Sequence, residues 1–95
     1  MKAIFKNDCI TVIDKAVFIA NSNKQKEVTI ENIKDSLNTK DIKYSPIKEN
    51  ELPFSRVAQR FFKFSKLKAK GESIKEIKLE KFKDFFKVFY EEVKK

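Results

Sequence analysis

The stretch FSRVAQRFFKFSKLKAK, residues 54–70, decides how this chain is read. It holds six cationic side chains and no acid, and both arginines of the protein, Arg56 and Arg60, stand in it four residues apart. Residues three and four apart share one face of a helix. Read as a helix, the stretch puts Phe54, Val57, Ala58, Phe61 and Phe64 on one stripe. Arg56, Gln59, Arg60, Lys63, Lys66 and Lys70 fall on the opposite side. The apolar stripe is expected to anchor in a core, which turns the basic side outward.

The flanks of this helix carry their own signals. Pro53 suits a first helical residue, and it disfavours helical geometry at Leu52. Gly71 is placed as a C-terminal cap. Beyond it, Ser73 to Glu76 has the form of a capping box. Leu79, Phe82, Phe85, Phe86, Phe89, Tyr90 and Val93 then form a broad apolar arc. Ile74 and Ile77 drift off that arc, so the regular helix is expected to begin nearer Lys78. Its outer face mixes signs, with Glu80 near Lys83 and Lys87 near both Asp84 and Glu91, and reads as solvated.

Upstream, Asn7 or Asp8 is placed to cap a helix over Cys9 to Ala20, with Cys9, Val12, Ile13, Ala16, Val17 and Ala20 on one face. The same run is rich in β-branched residues, so residues 2–20 also fit a short β-hairpin turning at Lys6 to Asp8. Asn21 to Glu27 reads as a polar loop. Thr29 reads as the N-cap of a short helix with Ile30, Ile33 and Leu37 inward and Glu31, Asn32, Lys34 and Asp35 toward water. Val28 is placed to staple onto Ile33. Asn38 to Tyr44 reads as a connector with Ile42 and Tyr44 as apolar pegs, and Ser45-Pro46 as the start of a further short helix. The expectation is one all-α domain over residues 1–95, a bundle of four to five helices around a Phe-rich core.

Ten phenylalanines are enough to fill a core in 95 residues, and a single glycine with two prolines leaves few tight turns for a β-sandwich. The chain contains no histidine and one cysteine. That removes the commonest general base, a disulfide and a thiolate zinc site. No glycine-rich loop is present to cradle a nucleotide. Acidic residues occur amid lysines, as solvated ion pairs rather than an acid/base couple. No enzymatic activity, cofactor, metal or small-molecule substrate is expected. The apolar N-terminal run is interrupted by Lys6, Asp8, Asp14 and Lys15, so neither a signal peptide nor a transmembrane span is read there. A cytoplasmic setting is the expectation.

The formal net charge is +8 and is concentrated in the second half of the chain. Such a cluster points to a polyanion. Arginine's planar fork suits phosphate, and lysine acts as a point charge. The expected function is a small basic nucleic-acid-binding module that contacts the phosphate backbone of DNA or RNA through Arg56, Gln59, Arg60, Lys63, Lys66 and Lys70. The alternative is a protein-interaction subunit or regulator, of the kind mobile elements encode, whose basic and aromatic surface meets an acidic protein. Phe62 and Leu67 fall off the core stripe and are the partner-interface candidates. Phe62 is expected to fill a core edge against the C-terminal helix, or else to stand exposed beside the cations. Peripheral membrane binding is disfavoured, because the apolar side of the basic helix is needed for the core. A solvated lysine-rich surface is the bland reading, since twenty lysines accompany only two arginines.

From Ser55 to Tyr90, and most of all over RFFKFSKLKAKGESIKEIKLEKFKDFF, the chain resembles the helical core-binding region of tyrosine recombinases. In size, charge and helicity it is also similar to the small helical subunits of CRISPR effector complexes. Neither resemblance rests on a signature motif, so neither implies a role for any particular residue.

Overall fold

The computed structural model describes residues 3–38 and 52–93. Among them are four helices: α1 (Asn7–Ser22), α2 (Ile30–Asn38), α3 (Arg56–Gly71) and α4 (Leu79–Val93). Two short strands, β1 (Ile4–Phe5) and β2 (Glu76–Ile77), complete the order. This is the small all-α domain with a Phe-rich cluster that the periodicity predicts. The connector Asn38 to Tyr44, beyond its first residue, and the Ser45-Pro46 signal lie outside the described residues.

By packing, the chain divides into two compact units, one of residues 1–10 with 60–95 and one of residues 11–59. In the first, β1 and β2 pair in parallel, with Ile4 opposite Glu76 and Phe5 opposite Ile77. The amides of Ile4 and Lys6 donate to the carbonyls of Lys75 and Ile77 at 3.0 and 2.9 Å. Residues 3–20, the described part of the 2–20 run, therefore form no hairpin. A two-residue strand leads into a helix, and its partner strand comes from near the other end of the sequence. Parallel pairing needs a long crossover.

The core of this unit is aromatic. Phe61 is fully buried and meets Phe62, Phe82, Phe86 and Phe89, with ring centroids 5.2–5.8 Å apart. Phe5 adds edge contacts to Phe62 and Phe82. The buried positions of α3 are Ala58, Phe61, Ser65 and Ala69, at helical spacing, whereas Phe54, Val57 and Phe64 are only half-buried. The core stripe is thus rotated toward two small residues, Ser65 and Ala69, which leave room for the rings of α4 that pack on α3. The Ser65 hydroxyl is buried with no hydrogen-bond partner among the described residues. A buried unsatisfied polar group costs about 1–3 kcal/mol. Ser65→Ala is expected to raise stability by about 1 kcal/mol, seen as a higher urea midpoint at unchanged slope. A lower midpoint would show that the hydroxyl is satisfied in solution.

Both long helices that end within the described residues stop in the same way. Ile74 N–H donates to the Ala69 carbonyl at 2.8 Å and Ser73 N–H to the Lys70 carbonyl at 3.1 Å. Gln25 and Lys24 donate to Ala20 and Asn21 at 2.9 and 3.0 Å. These are the two bonds of a Schellman cap, which needs a left-handed residue between them. Ser73 (φ 59°) and Lys24 (φ 57°) supply it. Gly71 is therefore not the cap: it is the last helical residue, without a positive φ. A β-carbon in the left-handed region costs roughly 1–2 kcal/mol, partly offset by the extra unfolded-state freedom of glycine. Ser73→Gly and Lys24→Gly are each expected to stabilise by about 0.5–1 kcal/mol, measured by thermal or urea unfolding.

The capping-box reading of Ser73 to Glu76 is overturned for the same reason, because Ser73 is already occupied in closing α3. The helix α4 begins at Leu79, near the expected Lys78. Its first N–H, that of Leu79, is accepted by the Asp8 carboxylate at 3.2 Å. The other Asp8 oxygen accepts the Cys9 N–H at 2.8 Å. Cys9 is fully buried beside this contact and its thiol donates to the Ile77 carbonyl at 3.1 Å. Burial, reinforced by the neighbouring Asp8 charge, pushes the Cys9 thiol up to about 12, so it stays protonated and unreactive.

In the second unit, Thr29 caps α2 as expected. Val28 and Ile33, the expected staple, are both fully buried. Asn32, however, is buried rather than turned to water. Its Oδ1 accepts the Thr29 N–H at 2.8 Å, while the Thr29 hydroxyl accepts the Asn32 N–H at 3.3 Å. This is a capping box with Asn in the place of Glu or Gln. Asn32 and Gln25 also exchange two amide bonds of 2.9 Å. Val28 bridges to Phe54: its N–H donates to Pro53 and its carbonyl accepts from Ser55, both at 2.8 Å. That bridge keeps Pro53 extended, so α3 starts at Arg56 and Pro53 is not its first residue. Ser55 is the N-cap, its hydroxyl accepting the Ala58 N–H at 3.2 Å.

Candidate functional site

The basic side of α3 is turned outward. Arg56, Gln59, Arg60, Lys63, Lys66 and Lys70 are all exposed. Arg56, Arg60, Lys63, Leu67 and Lys70 follow one another at alternating steps of four and three residues, so they lie along one line of the helix. The line is about 21 Å long at 1.5 Å per residue. The burial of Phe61, Ser65 and Ala69 on the opposite side fixes this orientation.

The six candidates are not equivalent. Gln59 spends its Nε2 on the carbonyl of Phe54 at 2.8 Å, which helps close the start of the helix. The Lys66 ammonium sits over the Phe5 ring, 5.6 Å from its centroid, and Lys68 sits over Phe64 at 5.7 Å. Lysine over a ring face is held by the ring quadrupole. Arg56, Arg60, Lys63 and Lys70 have neither a carboxylate nor a ring partner among the described residues. Glu49 and Glu51, two acids shortly before this helix in the sequence, lie outside the described residues.

Arg56 stands at the first position of the helix and Arg60 one turn on. Cations there oppose the positive end of the helix dipole. No carboxylate stands in the first turn of α3. An anion at this end would meet the dipole and the two guanidinium groups together, which is how helix N-termini hold phosphate.

Phe62 and Leu67 separate in the structure. Phe62 is half-buried, and its ring packs on Phe5 of β1 and on Phe61. The partner strand β1, rather than the C-terminal helix alone, supplies its packing, a contact that helical periodicity does not reveal. Leu67 is 61% exposed in the middle of the cationic line. Sequence reasoning missed Phe5, whose ring holds both Phe62 and Lys66. A lone aromatic in a two-residue strand gives no periodic signal.

No group of three or more potential metal ligands occurs among the described residues. No helix there is long and apolar enough to cross a membrane. The described residues form a small all-α domain in which α3 carries an unbalanced basic face. Compared with known proteins, the chain matches no family model, and no curated protein or solved structure is significantly similar to it. The likenesses to recombinase core-binding regions and to CRISPR small subunits gain nothing from these comparisons.

Proposed function

We propose that this chain is a non-enzymatic module that binds nucleic acid through the phosphate backbone, along the outward face of α3. The observation that carries this reading is the line Arg56, Arg60, Lys63 and Lys70, four exposed cations with no partner among the described residues. A duplex presents phosphates every 3.4 Å or so along each strand, so a line of about 21 Å spans several nucleotides. The contacts available are to phosphate, so they position the protein without reading sequence. Gln59 is held by Phe54 through its Nε2.

The test is binding of labelled single- and double-stranded DNA and RNA across a salt series, for the wild type and for Arg56→Ala/Arg60→Ala. Each neutralised duplex phosphate contributes a slope of about −0.9 in log K against log salt. The double variant is expected to weaken binding and to flatten the slope by about 2. Absence of binding near physiological salt, or a variant indistinguishable from wild type, removes the proposal. The exposure of Leu67 favours a second reading, in which the same face meets an acidic protein. An exposed leucine contributes little to phosphate binding and much to a protein contact.

A further inference from the structure

Within residues 60–95 the outer faces of α3 and α4 are complementary to each other. On α3, Leu67 is 61% exposed, with Lys63 four residues before it and Lys70 three residues after. On α4, Val88 is 48% exposed, with Asp84 four residues before it and Glu91 three residues after. The spacing is the same and the charges are opposite. Arg60 extends the first line by a turn, and Glu80 extends the second. Lys83 and Lys87 also stand on the exposed side of α4, and Lys81 beside them is paired with Glu72, so the three acids Glu80, Asp84 and Glu91 outnumber the two lysines left without a carboxylate partner among the described residues.

Neither line is neutralised within its own helix. The expected pairs on α4, of Glu80 with Lys83 and of Lys87 with Asp84 and Glu91, do not close to ion-pair distance among the described residues. The two lines cannot satisfy each other within one molecule either. Phe61 packs against Phe82, Phe86 and Phe89, so each line lies on the side of its helix away from the shared core. A single exposed apolar side chain is ordinary on a protein surface; what sets Leu67 and Val88 apart is the matched, opposite charge spaced around each.

We infer that, without nucleic acid, the basic face of α3 docks on the acidic line of α4 on a second copy of this chain. Set side by side with Leu67 on Val88, Lys63 falls level with Asp84 and Lys70 with Glu91. Exposed ion pairs are individually weak, so the association rests on several of them acting around the Leu67–Val88 contact. The net charge of +8 opposes it at long range, and physiological salt screens that repulsion beyond about 8 Å. The contact uses the same residues as phosphate binding but does not depend on that reading. Where both operate, nucleic acid and self-association compete for Lys63 and Lys70.

Sedimentation velocity on the full chain without nucleic acid, over a concentration series at physiological salt, tests this directly. The wild type is expected to associate as concentration rises toward the millimolar range. Leu67→Glu, Lys63→Glu and Asp84→Lys are each expected to weaken association about tenfold or more, with circular dichroism unchanged. An equimolar mixture of the Lys63→Glu and Asp84→Lys chains is expected to regain association, because each supplies the charge the other lacks. A wild type that stays monomeric throughout overturns the inference. So does association that the three substitutions leave untouched, or a mixture no better than its components.

Discussion

Phe61→Ala is expected to cost about 3–5 kcal/mol, the range for removing a fully buried phenylalanine. The ring has no solvent exposure and contacts four others, Phe62, Phe82, Phe86 and Phe89. Two of the contacts are near-perpendicular, at 76° and 88° with centroids 5.2 Å apart, an arrangement worth somewhat more than its buried area alone. Truncation leaves a cavity walled by rings that are held from their own helix and cannot collapse into it freely. A chain of this length has a total stability of only about 5–15 kcal/mol. The variant is therefore marginally folded. Urea unfolding followed by circular dichroism checks this. Cys9 gives a second readout, because its buried, protonated thiol reacts with an alkylating reagent only on opening. Labelling should accelerate steeply in Phe61→Ala. Half-buried Phe89→Ala serves as comparison and should cost clearly less. A Phe61→Ala midpoint close to wild type would remove Phe61 from the centre of the core.

Asn32→Ala is expected to cost about 2–3 kcal/mol, although the side chain is small and polar. Its Oδ1 accepts from the Thr29 amide, the Thr29 hydroxyl and Gln25 Nε2, at 2.8, 3.0 and 2.9 Å. Its Nδ2 donates to Gln25 Oε1 at 2.9 Å. Alanine removes all four and strands the Thr29 N–H at a site where Asn32 itself is 3% exposed. Gln25 keeps bonds to Glu27 and Asn23, so the loss falls mainly on the cap of α2. Asn32→Asp should cost less than alanine, because the carboxylate still accepts from Thr29 and is favoured at a helix N-terminus. A double-mutant cycle with Gln25→Ala isolates the amide pair, with about 1 kcal/mol of coupling expected. Equal effects of Ala and Asp at position 32, with no coupling to Gln25, would mean that the network does not hold the unit together.

Both predictions lie at residues whose importance was unequally visible. Phe61 stands on the apolar stripe of α3, and its burial follows from periodicity alone. Asn32 reads as solvent-facing from the sequence, since an amide between Glu31 and Ile33 carries no apolar signal. Its burial depends on Gln25 lying opposite, which the spacing of α2 cannot express. The same division holds at the surface. Outward placement of Arg56, Arg60, Lys63 and Lys70 follows from the apolar stripe on the other side of their helix. The diversion of Gln59 to Phe54 and of Lys66 to the Phe5 ring was not legible, because each depends on a partner outside the helical repeat.

The sequence by itself determined α2, α3 and α4, their approximate limits and which side of α3 faces water, and left α1 open against a hairpin. Those features depend on side chains within a turn or two of each other, so hydrophobic spacing encodes them. Only the tertiary structure decided the rest. The pairing of Ile4 with Glu76 in a parallel strand pair and the capping of α4 by Asp8 from 71 residues away join distant residues. Whether a polar group is buried, and whether a capping residue is already used elsewhere, depends on which partners the fold delivers. Ser73 shows the point: its local sequence reads as a helix start, yet the backbone uses it to end the helix before.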